Sequence, residues 1–253
     1  MEPLKNLEKL RPDVAKVVEP YLRDFLAIER DAIESAFIFG SATGPDFVPG
    51  HSNVNIALLV KEISPAFLRK CLKLVESGFK KRIVAPVFLT PSYVATSLDV
   101  FPIEFLDMRE TSLLVYGEDP FAGVELSNQS LRLECEQQLK GALLRVRQAY
   151  LEIGLAKRGL EKVLEQSLNS LIPIFRAMLV LKDMKPPRRK AEIVSSVSEA
   201  FGIRSGILTT ILDMKLGRKR VPQGEEEKLL SEYLVCIEEL ASFADTLRTR
   251  EKP

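Results

Sequence analysis

At 253 residues, 46% hydrophobic and 28% charged, the chain has room for one or two domains with a proper core, and its makeup excludes a disordered or fibrous protein. A net charge of +1 supplies no overall field for drawing in nucleic acid, which is therefore not an expected partner. Three scattered cysteines, Cys71, Cys135 and Cys236, exclude a disulfide framework and lack the paired spacing of a zinc site, which fits a reducing cytoplasm.

The opening Met1-Glu2-Pro3-Leu4-Lys5 has no apolar run of the signal-peptide kind, so a cytoplasmic protein is expected. Leu10 to Arg30 carries helical periodicity, with Val14, Val17, Val18, Tyr21, Leu22 and Phe25 on one stripe. Ile33 to Phe39 reads as a strand. Thr43-Gly44-Pro45-Asp46 and Pro49-Gly50-His51-Ser52 are turn chemistry, so residues 43–52 form a loop. Val54 to Val60 is a continuous apolar run, as in a strand buried on both faces. Ser64-Pro65 then opens a helix to about Ser77, with Ser as the cap and Pro in the first turn.

Ala85 to Leu89 is expected as a third strand, Ser92 to Leu98 as a short helix and Ile103 to Met108 as a fourth strand. Leu113 to Tyr116 adds an edge strand before the turn at Gly117-Glu118-Asp119-Pro120. Strands interleaved with helices predict an α/β (α+β) domain with a mixed sheet over residues 1–126. Beyond Leu126 the pattern becomes helical throughout. Leu131, Cys135, Leu139, Leu143, Val146 and Tyr150 mark one long amphipathic helix over Ser130–Ile153. Leu160–Lys182, Arg189–Phe201, Ser205–Lys215 and Glu225–Leu247 continue as helices, with Gly202 as a C-terminal cap and Pro222-Gln223-Gly224 as a break. Residues 127–253 thus read as an all-α helical bundle. The uncharged run Ile83–Leu98 holds Pro86 and Pro91, and Leu168–Leu181 holds Asn169, Pro173 and Arg176, so neither is a membrane span.

The chemistry-bearing stretch is Phe37-Ile38-Phe39-Gly40-Ser41, followed after eleven residues by Asn53-Val54-Asn55-Ile56. Gly40 permits close approach of a phosphate, while Ser41 offers a hydroxyl and the turn offers N–H groups, an anion-binding arrangement. In a strand, Asn53 and Asn55 project to one face while Val54 and Ile56 project to the other. Two Asp in those places would hold Mg²⁺ beside a triphosphate, because Mg²⁺ takes hard oxygen ligands. Glu104, an acid between Ile103 and Phe105, needs a partner, a solvated face or a function.

Together these pieces resemble the nucleotidyltransferase fold shared by DNA polymerase beta, kanamycin nucleotidyltransferase and minimal nucleotidyltransferases. The family pattern is Gly followed by Gly or Ser, a loop, Asp-apolar-Asp/Glu, and a third acid on a later strand. Gly40, Ser41, the Asn53/Asn55 pair and Glu104 fall on those positions, within roughly residues 30–117. Tyr116-Gly117-Glu118-Asp119-Pro120 resembles the segment that closes this domain. The resemblance implies a nucleoside triphosphate as ligand or substrate, Mg²⁺ as cofactor, and Asn53, Asn55 and Glu104 as the degenerate metal positions.

Both metal-binding Asp positions are Asn, and the basic residue often found after Gly-Ser is Ala42. Two unit charges about 4 Å apart interact by about 4 kcal/mol at an effective dielectric near 20, so losing two anions costs metal affinity severely. Two functions are open on this pattern. One is a catalytically impaired pseudoenzyme that binds a nucleotide or a protein partner, including a second copy through the bundle. The other is an active transferase of a nucleoside monophosphate to a small molecule or protein hydroxyl, with Glu104 as base or ligand. Asp46 lies in the loop, and Asp107, three residues from Glu104, is expected on the opposite side of the strand. His51 is the sole histidine and sits in a loop, so no Arg-His nuclease motif exists in the helical half. Two basic clusters, 188–190 and Lys215 with 218–220, read as solvated surface or as a phosphate-binding rim.

Overall fold

The computed structural model describes residues 3–29, 32–156, 159–220 and 224–247. The helix end at Arg30 and the break at Pro222-Gln223 lie outside them. The chain divides into two compact units: Met1–Leu98 with Phe105–Glu125, and Asp99–Glu104 with Leu126–Pro253.

In the first unit, α1 (Pro12–Ile28) buries Val14, Val18, Tyr21, Leu22, Phe25 and Leu26, the apolar stripe of the sequence. Strands β1 (Ile33–Phe39), β2 (Asn55–Val60), β3 (Val87–Leu89) and β4 (Leu113–Gly117) form one sheet in the order β3-β2-β1-β4. β1 runs antiparallel to both β2 and β4, and β2 runs parallel to β3, so the sheet is mixed. α2 (Pro65–Phe79) starts where Ser64 Oγ accepts the Phe67 N–H, and α3 (Pro91–Ser97) where Thr90 caps Tyr93. Alternation sorts the strands: Ala36, Ile38, Ile56, Leu58 and Val60 join α1 and α2 in a single buried cluster. The opposite face carries Phe37, whose ring meets Phe121 edge-on at 5.1 Å, with Phe105 beside Phe121. Residue 5 donates its N–H to Val115, and the Asn6 amide donates to Leu114. These bonds occupy part of the outer edge of β4.

The fourth strand expected over Ile103–Met108 is instead a helix, α4 (Pro102–Thr111). Pro102 presets the first turn, Glu104 complements the positive end of the helix and Arg109 the negative end. Pro102, Ile103, Phe105 and Leu106 are buried and Glu104 is exposed, the spacing of a helix face rather than a pleat.

The second unit is helical: α5 (Asn128–Ile153), α6 (Leu160–Leu181), α7 (Lys190–Phe201), α8 (Ser205–Lys215) and α9 (Glu226–Thr246). α5 packs against α6 and α9, and α6 against α7 and α8. Leu131, Cys135, Leu139, Leu143 and Val146 are buried along α5, and Gly202 ends α7 at φ +66. Among the described residues no helix is long and apolar enough to cross a membrane.

Candidate functional site

β1 ends at Phe39, and the chain enters a single 3₁₀ turn, Gly40–Thr43, through Gly40 at φ +76. That left-handed conformation suits glycine because a side chain there would crowd the following carbonyl. The register places Phe39 opposite Asn55, the first residue of β2. A Cβ on Gly40 would sit 3.1 Å from Asn55 Nδ2, so the second amide stands close beside the turn. Ser41 follows, half-buried, and its carbonyl accepts the Gly44 N–H at 3.1 Å. Asn53 is exposed, two residues before Asn55, and Val54 between them is buried.

The Gly40 N–H, a candidate anion donor in the sequence, already donates to Thr111 Oγ1 at 3.1 Å. Thr111 is the last residue of α4, and its hydroxyl donates in turn to the Asp107 carbonyl at 2.7 Å. Thr43 Oγ1 lies within hydrogen-bond distance of the carbonyls of Gly40 (2.9 Å) and Thr111 (2.5 Å). The turn is thus anchored to the C-terminal end of α4. Nothing in the residue order singled out Thr111; only the folded backbone brings it to the glycine.

The segment alongside Val54 is Arg82-Ile83-Val84. Val54 N–H donates to the Arg82 carbonyl at 2.9 Å, and Val84 N–H donates to the Val54 carbonyl at 3.1 Å. Arg82 adopts a left-handed backbone, φ +59, and its Nη1 donates to the His51 carbonyl at 3.3 Å. The neighbouring strand segment therefore supplies a guanidinium to the loop before Asn53, and no carboxylate. The sequence carried a signal for it in the run Lys80-Lys81-Arg82, which follows the helix and precedes the apolar strand. His51 is exposed and accepts this bond with its backbone.

Glu104 is not on a strand. It stands in the first turn of α4 and belongs to the second unit, with α5. Gln138 Nε2 donates to Glu104 Oε1 at 3.3 Å and to Glu134 Oε1 at 2.8 Å. Glu134 is buried, and its Oε2 accepts the Ile103 N–H at 2.8 Å, capping an otherwise unpaired donor at the start of α4. Burial pushes the Glu134 carboxyl up to about 7; the Ile103 N–H opposes the rise and the adjoining Glu104 reinforces it. Glu104 is thereby one half of a carboxyl pair rather than the third acid of the sheet. Asp107, in the same helix and three residues on, shares a face with Glu104 instead of opposing it.

The donor set does not fit a divalent metal. Mg²⁺ calls for carboxylate and phosphate oxygens, whereas the start of β2 and the segments beside it offer two amides and an arginine. Among the described residues no three His, Cys, Asp or Glu side chains gather in a way that could hold a metal ion. The three thiols are buried and raised by that burial, which makes them packing groups rather than nucleophiles.

The two basic clusters of the second unit meet. Lys190 Nζ and Lys215 Nζ donate to the same oxygen, Asn169 Oδ1, at 3.2 and 2.7 Å. Arg218 and Lys219 lie 3.8 and 3.9 Å from the Asp213 carboxylate, so part of the second cluster is tied to its own helix.

No protein-family model matches the chain, and no curated protein matches its sequence. Its fold is that of the spectinomycin adenyltransferase AAD(9) from Enterococcus faecialis, solved with ATP and spectinomycin. The match has a TM-score of 0.58 and spans 90% of this chain and 98% of that one, at 10% sequence identity. At that identity the likeness is one of fold.

Proposed function

We propose that this chain is a nucleotidyltransferase-fold protein that works by binding the phosphates of a nucleotide without a metal ion. The observation that supports the reading most is the Asn55 amide seated against Gly40, with Arg82 held at the neighbouring loop. Gly40, Ser41, Asn53 and Asn55 form the phosphate-facing edge, and Arg82 supplies the positive charge that Mg²⁺ supplies in a carboxylate site. A guanidinium binds phosphate oxygens through charge-assisted bonds, so the exchange of anionic Asp for neutral Asn is matched by a fixed cation.

Calorimetry with ATP, GTP, CTP and UTP, with and without Mg²⁺, tests this. The expected result is binding that Mg²⁺ does not strengthen and that Arg82→Ala weakens roughly tenfold, the cost of one charged hydrogen bond. Strong Mg²⁺-dependent binding with turnover would overturn it.

The match to an adenyltransferase solved with ATP and spectinomycin favours a second reading, an active transferase of a nucleoside monophosphate to a small-molecule or protein hydroxyl. A labelled-nucleotide transfer screen with Glu104→Gln as control separates the two. Incorporation that survives this change removes Glu104 from the mechanism and keeps the transferase reading.

A further inference from the structure

α2 carries three parallel rows of side chains, each displaced from the last by one residue. Phe67, Cys71 and Gly78 are buried and Leu74 is half-buried, forming the row that faces the core. The next row, Leu68, Leu72, Val75 and Phe79, lies about 100° further round the helix. It is apolar and largely uncovered: Leu68 is 40% exposed, Leu72 62% and Phe79 58%, with Val75 half-buried. The third row, Arg69, Lys73, Glu76 and Lys80, is exposed and mostly cationic. Lys70 and Lys81 add to the charge, although Lys70 is already paired with Glu29 at 2.9 Å. In a chain of net charge +1 this is a strong local excess of positive charge.

We propose that this outer face of α2 docks an acidic amphipathic helix of a partner protein. Apolar residues at i, i+4, i+7 and i+11 make a continuous stripe one residue wide, along which a second helix can lie. The occupant's own apolar stripe covers Leu68, Leu72 and Phe79. Its flank meets Arg69, Lys73 and Lys80, which calls for Asp or Glu there. Glu76 breaks the cationic row and opposes an anionic bilayer. In an antiparallel pair of identical helices about one centre, Arg69 would face Lys80 and Lys73 would face Glu76, so a second copy of this chain brings no net charge complementarity, whereas an acidic helix does. The uncovered row is narrow, which suits a helix-sized partner rather than a broad interface.

The test uses the full chain and two synthetic helical peptides with leucines at the same spacing, one flanked by glutamates and the other by lysines. Phosphatidylserine-containing vesicles and light scattering of the protein alone run alongside. The expected result is salt-sensitive binding of the glutamate peptide, weakened at least about tenfold by Leu72→Ser/Phe79→Ser. Lys73→Glu/Lys80→Glu is expected to switch preference to the lysine peptide. These side chains are exposed, so unchanged thermal melts are expected for both double variants. The proposal is overturned by equal binding of the two peptides, by no binding of either, by binding indifferent to Leu72 and Phe79, by vesicle binding in place of peptide binding, or by concentration-dependent dimers that the serine variant abolishes.

Discussion

Asn55 Nδ2 lies 3.1 Å from where a Cβ on Gly40 would stand, so the amide at the head of β2 leaves little room for a side chain at the glycine that follows β1. Gly40→Ala is expected to destabilise the protein by about 1–2 kcal/mol, because φ +76 is left-handed and the added methyl presses on the amide. In an Asn55→Ala background the crowding part should vanish while the backbone part stays. A double-mutant cycle by urea denaturation reads the coupling between them.

Replacing both amides by Asp tests whether a carboxylate pair at these two positions takes up Mg²⁺. Asn53→Asp/Asn55→Asp is expected to lower stability by about 1 kcal/mol in the absence of Mg²⁺, since two like charges then stand two residues apart at the head of β2. Added Mg²⁺ should recover that loss and bind measurably. Transfer activity should remain absent, because the Arg82–Val84 segment beside Val54 contributes no carboxylate. Calorimetry and a labelled-nucleotide assay on the same variant check both halves.

Glu134 titrates near neutrality in the folded chain. Its carboxyl is raised from 4.5 to about 7, so the folded protein holds a proton that the unfolded chain releases. The contribution to stability is full below pH 4.5, falls as pH rises toward 7 and is lost above it. Glu134→Gln keeps an acceptor for the Ile103 N–H and carries no charge. It should flatten the profile and stabilise the protein at pH 8, as measured by denaturation at a series of pH values.

Gly117 meets Glu34 so closely that a Cβ would lie 1.9 Å from the Glu34 carbonyl oxygen and 2.9 Å from Ser35 Cα. Both are backbone atoms of β1 itself, so nothing flexible can yield. Gly117→Ala is expected to cost at least about 3 kcal/mol and to loosen β4 from β1. Faster hydrogen exchange at the β4 amides would show where the loss falls.

The helices of the second unit were legible because their apolar residues repeat at three and four over long stretches, as along α5 from Leu131 to Val146. β1 and β2 were legible as short apolar runs bounded by turn residues. α4 was misread because Ile103-Glu104-Phe105 alternates like a strand over three residues, too short a span to separate the two periods. Pro102 and Arg109 were the signals that pointed to a helix, and the capping carboxylate that completes its start comes from Glu134, far along the chain.

What the order of residues determined is local: most of the helices and strands, the glycine turn, and two amides placed two positions apart. Those depend on neighbours within a few positions, where periodicity and turn chemistry act. Only the tertiary structure decided the company each group keeps, pairing Gly40 with Thr111 and Asn55, bringing Arg82 to the loop at His51, and giving Glu104 to Gln138 and Glu134. Such pairings join residues from 15 to 71 positions apart, and the physical reason they escape the sequence is that strand register and helix packing, not local propensity, set those distances.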